Sequence, residues 1–387
     1  MRRHVVSGVD RTPLPPPVDR PRVVHVIPAL ALGGAEAIVA ALAIGRHRRG
    51  WPTEVVALLP TGSPDPHDFV EGLRAEGVPT LAVRSSRRGY WTEGLALRRR
   101  SRPGPVIVHS HKFRSNVASL FGRGAESTLV ATVHGYARSG GRSLAYQWMD
   151  RLLLRRFDAV IGVSRSLCGQ LVASGVPADR THLIYNAPPP PMTLTRSAAR
   201  RRLGLHDRGS VIGWIGRLSE EKGPDLLVEA MQLLDDESAS VAVIGDGPMR
   251  ARVESEIVRR GLSGRVALLG ALPRAAELLP AFDALVVSSR QEGFPTVILE
   301  AMAAGVPVVA FAVGGIPELL DSTSALLVPS GETASLAAAI RECLADPVGA
   351  RARAMRGRIV SAERIDLDRW LDDIEDVYRV ARAPAGR

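Results

Sequence analysis

The sequence predicts an α/β fold, with two doubly wound domains of parallel strands and helices joined by a stiff connector and facing each other across a cleft. Three observations predict it. Short apolar runs alternate with amphipathic stretches along almost the whole chain, which is the rhythm of βαβ units and a parallel sheet. Near the midpoint, Ala187 is followed by four consecutive prolines, ending at Pro191. Such a run belongs to neither a helix interior nor a central strand, so it forms an extended connector. The length of 387 residues suits two or three units at roughly 150 residues each, and each half is long enough to bury its own core.

In the first half, strands are expected at 23–27, 54–59, 80–83, 106–108, 129–133 and 159–163, with helices at 35–44, 68–76, 115–121, 144–156 and 166–174. In the second, strands are expected at 211–215, 241–244, 266–269, 284–287, 308–311 and 325–328, with helices at 224–234, 249–260, 297–304 and 336–344. Leu367, Trp370, Leu371, Ile374 and Val377 recur at helical spacing and mark a last amphipathic helix over 367–380. The expected division is a disordered arm (1–20), a first domain (21–186), a linker (187–194), a second domain (195–362) and a terminal helix (363–387). Ligands of doubly wound sheets bind outside the carboxyl ends of the strands, so the strand-to-helix loops are where chemistry is expected.

Apolar residues at 45% and charged residues at 23% exclude a disordered or collagenous chain. Two distant cysteines, Cys168 and Cys343, argue against a disulfide framework or a thiolate zinc site and fit a reducing, cytoplasmic setting. Aromatics at 4% are too scarce for the stacking platforms of a single-strand nucleic-acid binder. The net charge of +10 is uneven: residues 1–190 hold 26 basic against 13 acidic side chains, and the remainder 24 against 27. A basic first half suits an anionic partner, such as a phosphate-bearing lipid or a polyphosphorylated substrate. Each arginine cluster fits a solvated helix face equally well. Only Lys112 and Lys222 are lysines among 50 basic residues, so each marks a place where a compact ammonium suits better than a guanidinium. The N-terminus lacks the apolar core of a secretory signal. The uncharged stretch over 301–317 is broken by Gly and Pro, so it reads as helix end, turn and buried strand.

Four motifs carry chemistry. Glu292-Gly293-Phe294-Pro295-Thr296 leads into a helix containing Glu300. Pro295 suits the first helical turn, and the helix start offers backbone N–H groups to an anion. Glu300, about one turn on at ~5.4 Å, is placed to accept bonds from hydroxyls beside a phosphate, and Glu292 to reach a second hydroxylated group. A helix cap with surface charge is the competing explanation. Arg217 and Lys222 flank a loop after a strand, a fork and a point charge suited to diphosphate oxygens, or else ordinary loop charge. Gly33 and Gly34 follow the first strand and let backbone approach a ligand. His134 ends a buried strand and faces the cleft, unless it is a structural histidine. His109 and His111 end another strand without an evident third metal ligand, so no metal site is expected; Lys112 and Arg114 beside them suit an anionic acceptor. Gly245 and Val266 are candidates for edging a nucleobase.

Together GGAE, TVHG, IGVSRSL, GRLSEEKG, VIGDGP and EGFPTVILEAMAAGVPVVA resemble the GT-B-fold retaining glycosyltransferases of family 4, from Val23 to about Val380. The resemblance implies two Rossmann-like domains with an interdomain cleft. The first binds the acceptor, the second the nucleotide sugar, and the last helix crosses back to the first. It implies that Arg217 and Lys222 hold the diphosphate, Glu300 the ribose and Glu292 the transferred sugar. His134 contacts that sugar, and Gly33 and Gly34 border the reacting centre. It implies no cofactor or metal, only a UDP- or GDP-linked sugar as co-substrate. The basic first domain then suggests a lipid-linked acceptor and an anionic membrane surface at the inner face, in polysaccharide, lipopolysaccharide or glycolipid assembly, without nucleic acid. The alternatives are transfer to a soluble aminocyclitol or natural-product aglycone, and a sugar phosphorylase. The linker reads YNAPPPP where the family more often has Asn-Gly-Val-Asp.

Overall fold

The computed structural model describes residues 20–29, 33–65, 67–86, 88–102, 104–136, 140–187, 193–205, 209–234, 238–364 and 366–383. The arm expected over 1–20, apart from Arg20, and the prolines at 188–191 lie outside the described residues.

The first domain alternates β1 (Arg22–Pro28), α1 (Gly34–Arg48), β2 (Thr53–Pro60), α2 (Asp68–Ala75), β3 (Thr80–Ser85), α3 (Tyr90–Arg100), β4 (Val106–His111), α4 (Phe113–Phe121), β5 (Ser127–Val133), α5 (Gly140–Leu154), β6 (Ala159–Gly162), α6 (Arg165–Ala173) and β7 (Thr181–Leu183). Its seven parallel strands lie in the order β3-β2-β1-β4-β5-β6-β7. Helices cover both faces, so the strands are apolar runs without alternation; all of β2 but Pro60 is buried.

The second domain holds α7 (Arg196–Arg202), β8 (Val211–Ile215), α8 (Pro224–Gln232), β9 (Ser240–Ile244), α9 (Arg250–Arg259), β10 (Val266–Gly270), β11 (Ala284–Val287), α10 (Thr296–Ala304), β12 (Val308–Phe311), α11 (Ile316–Leu319), β13 (Leu326–Val328), α12 (Thr333–Ala345) and α13 (Pro347–Arg364). Its parallel sheet runs β10-β9-β8-β11-β12-β13. The order reverses between β1 and β4 in one sheet and between β8 and β11 in the other. These switch points open the crevices where doubly wound sheets bind ligands.

The terminal helix α14 (Leu367–Arg382) packs on the first domain. Trp370, Leu371, Ile374, Val377 and Tyr378 bury against Val23, Ile38, Leu42, Ile107 and Val130. Buried Arg46 of α1 pairs with Glu375 and lies over the Trp51 and Tyr378 rings; burial pulls its guanidinium down to about 10. Asp366 caps α14 by accepting from the Asp368 and Arg369 amides at 2.9 and 3.1 Å.

Five elements depart from the sequence reading. β7, α7 and α11 are too short to show a period. α3 and α13 carry so many arginines that charge masks their apolar stripe. α13 also runs through the boundary expected at 362–363 and ends at Arg364.

Candidate active site

The loops after β8, β9 and β11 gather at the carboxyl edge of the second sheet. Gly245 has φ 143°, and a Cβ there would collide with the Gly216 carbonyl oxygen. Glycine therefore lets the β9 loop lie against the loop that carries Arg217. Arg217 is exposed and has no side-chain partner among the described residues. Lys222 is engaged: its Nζ donates to both Glu292 carboxylate oxygens at 2.7 and 2.8 Å. Ser289 Oγ donates to the same carboxylate at 2.6 Å. The expected diphosphate lysine and the expected sugar carboxylate thus form an ion pair across neighbouring strand ends, and a bound anion would share Lys222 with Glu292.

Helix α10 starts at Thr296, with Pro295 as its cap rather than its first residue and with no side-chain cap bond. Its first amides therefore remain available to a ligand. Phe294 is buried against the Tyr185 ring at 5.1 Å. Glu300, one turn along, is half-buried with no hydrogen-bond partner among the described residues, and burial pushes its carboxyl up to about 7. A carboxylate with that desolvation and no donor is poised to accept bonds from a ligand's hydroxyls.

Val266 corrects the sequence reading. It begins β10, pairs with Val241 and is buried, so it sits at the amino end of the strand, away from the motif-bearing edge. Gly270, at the other end, accepts from the Gly245 amide at 2.8 Å and is the β10 residue at that edge.

The first domain closes on this edge. Gly33 caps α1 in extended conformation. A Cβ on Gly34 would lie 3.1 Å from Thr296 Oγ1, so the two helix starts meet across the cleft. His134 follows β5, half-buried; a Cβ on Gly293 would collide with its carbonyl oxygen. Closure is fixed at the hinge by Glu318. Its carboxylate accepts from the Arg165 and Ser166 amides at the start of α6, at 2.8 and 3.0 Å, and from Tyr185 Oη at 3.0 Å. Neither Glu318 nor Tyr185 stood out in the sequence reading, although Gly314-Gly315-Ile316-Pro317-Glu318 carries the same strand-to-helix signature as the other motifs. A cavity of about 510 Å³ lies at this hinge, lined by Tyr185, Glu318, Asp366 and Trp370.

The three expected acceptor residues are placed differently from a free anion site. His111 is buried in the sheet. Lys112 has φ 76° and its Nζ bonds Glu36 Oε1 at 2.5 Å. Arg114 forks onto buried Glu93 and the Ser86 carbonyl at 2.7 Å each. The metal reading also changes, because β1 supplies the third histidine that the sequence did not show. Ring nitrogens of His25, His109 and His111 lie within 4.8 Å of one another. All of these ring nitrogens but His25 Nε2 are already engaged in hydrogen bonds. His109 bonds the Tyr378 and Thr132 hydroxyls at 2.7 Å each, and His111 bonds His134 at 3.1 Å and His25 at 3.5 Å. A cation there would displace those bonds.

Comparison with known proteins decides the family. The glycosyl transferases group 1 pattern matches residues 209–346, and the glycosyl transferase 4-like domain pattern matches residues 33–187. The chain belongs to the group 1 glycosyltransferases. This glycosyltransferase is 30% identical to the D-inositol 3-phosphate glycosyltransferase of Xylanimonas cellulosilytica, over 91% of this chain and 93% of that protein. It is 29% identical to the α-D-kanosaminyltransferase of Streptomyces kanamyceticus, over 86% of this chain and 95% of that protein. Its GT-B fold, two Rossmann-like domains with a cleft between them, superposes on Anabaena HepE in complex with UDP-glucose (TM-score 0.78, 22% identity, 92% of this chain and 99% of that one). It superposes equally on the sucrose-phosphate synthase of Thermosynechococcus elongatus (TM-score 0.78, 22% identity, 93% and 98%). Among the described residues no helix is long and apolar enough to cross a membrane.

Proposed function

We propose that this glycosyltransferase moves a sugar from a nucleoside-diphosphate sugar, UDP-linked, to a hydroxyl of an aminocyclitol-type acceptor, with retention at the anomeric carbon. The carrying observation is the row of groups on one sheet edge that are unspent among the described residues: exposed Arg217, the uncapped start of α10 and unpartnered Glu300. They match, in order, diphosphate oxygens and ribose hydroxyls. The UDP-glucose complex of the HepE neighbour supports the uridine choice. His134, whose backbone carbonyl lies against Gly293 across the cleft, and Glu292 take the sugar.

In the reaction, the acceptor oxygen forms its bond to the anomeric carbon on the face the phosphate leaves. The carbon–phosphate oxygen bond breaks, and the acceptor proton passes to the leaving diphosphate. Arg217, Lys222 and the α10 amides stabilise the charge growing on that diphosphate. Glu292 supports the positive charge on the sugar ring. These protein cations supply the role a metal ion has elsewhere, so turnover is expected to persist in chelator.

Two observations support the acceptor class. A relative 32% identical over 65% of each chain is named for 2-deoxystreptamine, an aminocyclitol, and one matched over most of its length is named for inositol phosphate. Lys112 and Arg114, the two cations that the sequence suggests for an anionic acceptor, are each paired with a carboxylate, which favours an acceptor without phosphate. The test is product formation from UDP-sugars with an aminocyclitol, inositol and inositol phosphate, with and without chelator. Turnover only with a GDP- or ADP-sugar, or only with the phosphate ester, refutes the corresponding half of the reading.

A second reading has its own observation. Trp91 on α3 is 76% exposed beside Phe121, and Trp148 on α5 is 66% exposed. α3 ends in Arg98, Arg99 and Arg100. Aromatics flanked by arginines suit an anionic lipid surface and a lipid-borne acceptor. Sedimentation with anionic vesicles, lost in a Trp91→Ser/Trp148→Ser variant, supports that reading; no sedimentation removes it.

A further inference from the structure

His25, His109 and His111 are buried histidines that the proposed reaction does not use. Their placement follows from register. His25 lies opposite His109 across β1 and β4, and His111 lies opposite Thr132 across β4 and β5. Residues paired in a parallel sheet point to the same face, as do residues two apart in a strand. The three histidines therefore gather on the face where α14 brings Tyr378, and His134, just past the end of β5, joins them through its bond to His111. His109 is held between two hydroxyls. The other three form a line: His134 Nε2 to His111 Nδ1 at 3.1 Å, and His111 Nε2 to His25 Nδ1 at 3.5 Å. The line ends at His25 Nε2, which is buried without a partner among the described residues. At its other end His134 is half-buried, and its Nδ1 has no protein partner among the described residues.

All three rings are neutral, because burial drives each well below the ordinary histidine range, His134 to about 3. Each neutral ring carries one proton, so the line has two self-consistent settings. In one, every Nδ1 is protonated: His25 donates to His111, His111 donates to His134, and His134 presents Nδ1–H to the cleft. In the other, every Nε2 is protonated, and the chain ends on a buried His25 N–H with no acceptor. A buried orphan N–H is rarer and costlier than a lone pair left unmatched. The orphan end therefore selects the first setting.

We infer that His25 and His111 are positioning residues that fix His134 as the Nδ1–H tautomer, so that it offers the transferred sugar a hydrogen-bond donor. This rests on the reading above in one respect only, that His134 meets the sugar. It adds the direction of the bond and names the two residues that set it.

The test is histidine-selective ¹⁵N NMR of the full-length protein, which distinguishes the two tautomers, with His134 assigned by loss of its signal in His134→Asn. The expected wild-type result is Nδ1–H at His134, against the Nε2–H preference of a free imidazole. His111→Leu removes the donor, and His134 is expected to revert to Nε2–H. In the same variant kcat falls about tenfold, the size of one lost hydrogen bond, with the donor KM within about twofold. His111→Asn, whose amide N–H stands where Nδ1–H stood, is expected to restore both readouts. Nε2–H at His134 in the wild type overturns the inference, as does a His111→Leu protein with unchanged tautomer and kcat. If His111→Leu fails to fold, the wild-type and His111→Asn spectra decide. A correct tautomer in a protein that transfers no sugar refutes the functional reading and leaves the inference standing as a structural one.

Discussion

Replacing Glu300 by glutamine separates ligand binding from stability, because the two respond in opposite directions. The carboxyl is half-buried without a donor, and burial raises it from 4.5 to about 7. For a carboxyl raised on folding, the stabilising contribution is fully present below 4.5 and is lost as pH rises through 7. At pH 8 the native protein therefore holds an ionised group that the fold disfavours. At 1.36 kcal/mol per unit that penalty is at most about 3 kcal/mol, and partial exposure lowers it further. Glutamine cannot ionise, so ligand-free Glu300→Gln is expected to melt above the wild type at pH 8 and level with it near pH 4.5. Binding moves the other way. Charged hydrogen bonds to hydroxyls contribute ~1.5–3 kcal/mol, so the variant should bind UDP-glucose at least about tenfold more weakly at pH 8. Wild-type affinity should fall about tenfold between pH 8 and pH 6, as the carboxylate is protonated; the variant should lack that dependence. Melting curves at pH 4.5 and pH 8 and calorimetric titrations with UDP-glucose read both effects. The diphosphate diester itself has no group titrating in this range. A variant that melts lower at pH 8, or binds as tightly as the wild type, refutes the reasoning.

Arg217→Ala is expected to weaken UDP-glucose binding about tenfold or more, with an unchanged melting temperature, because the side chain is exposed and unpartnered; a lowered melting temperature would show a structural role instead. Lys222→Ala leaves Glu292, only 6% exposed, without its ion partner and should lower stability by about 1–3 kcal/mol. Adding Glu292→Gln should recover most of that stability without recovering turnover, as read by denaturant titration and product formation. Gly293→Ala puts a methyl against the His134 carbonyl across the cleft. It should abolish turnover while each domain retains its core, checked by activity beside far-UV circular dichroism. Glu318→Ala removes three hydrogen bonds at the hinge and should raise the donor KM more than it lowers kcat, because it opens the cleft without touching the reacting atoms.

Local chemistry made much of the site legible in the sequence. The strand rhythm and the glycine-flanked loops at strand ends announce two doubly wound domains and the loops that form the candidate site. Arg217, Lys222, Glu292 and Glu300 are visible because their types and spacing have meaning within a few residues of chain. The amphipathic period of α14 is visible for the same reason, since a helix buries one stripe. Other features depend on residues far apart in the chain, and only the tertiary structure decides them. No local signal shows that Lys222 neutralises Glu292, that Arg114 is spent on Glu93, or that Glu318 caps α6 across the hinge. Val266 opens its strand in sequence and structure alike, and only the tertiary structure shows that Gly270, at the carboxyl end, is the β10 residue beside the Gly245 loop. The histidine line is the clearest case. His25, His109, His111 and His134 come from three separate segments of sequence. Parallel register and the reversal of strand order between β1 and β4 bring them onto one face, where burial keeps them neutral and leaves one buried ring nitrogen, His25 Nε2, without a partner among the described residues.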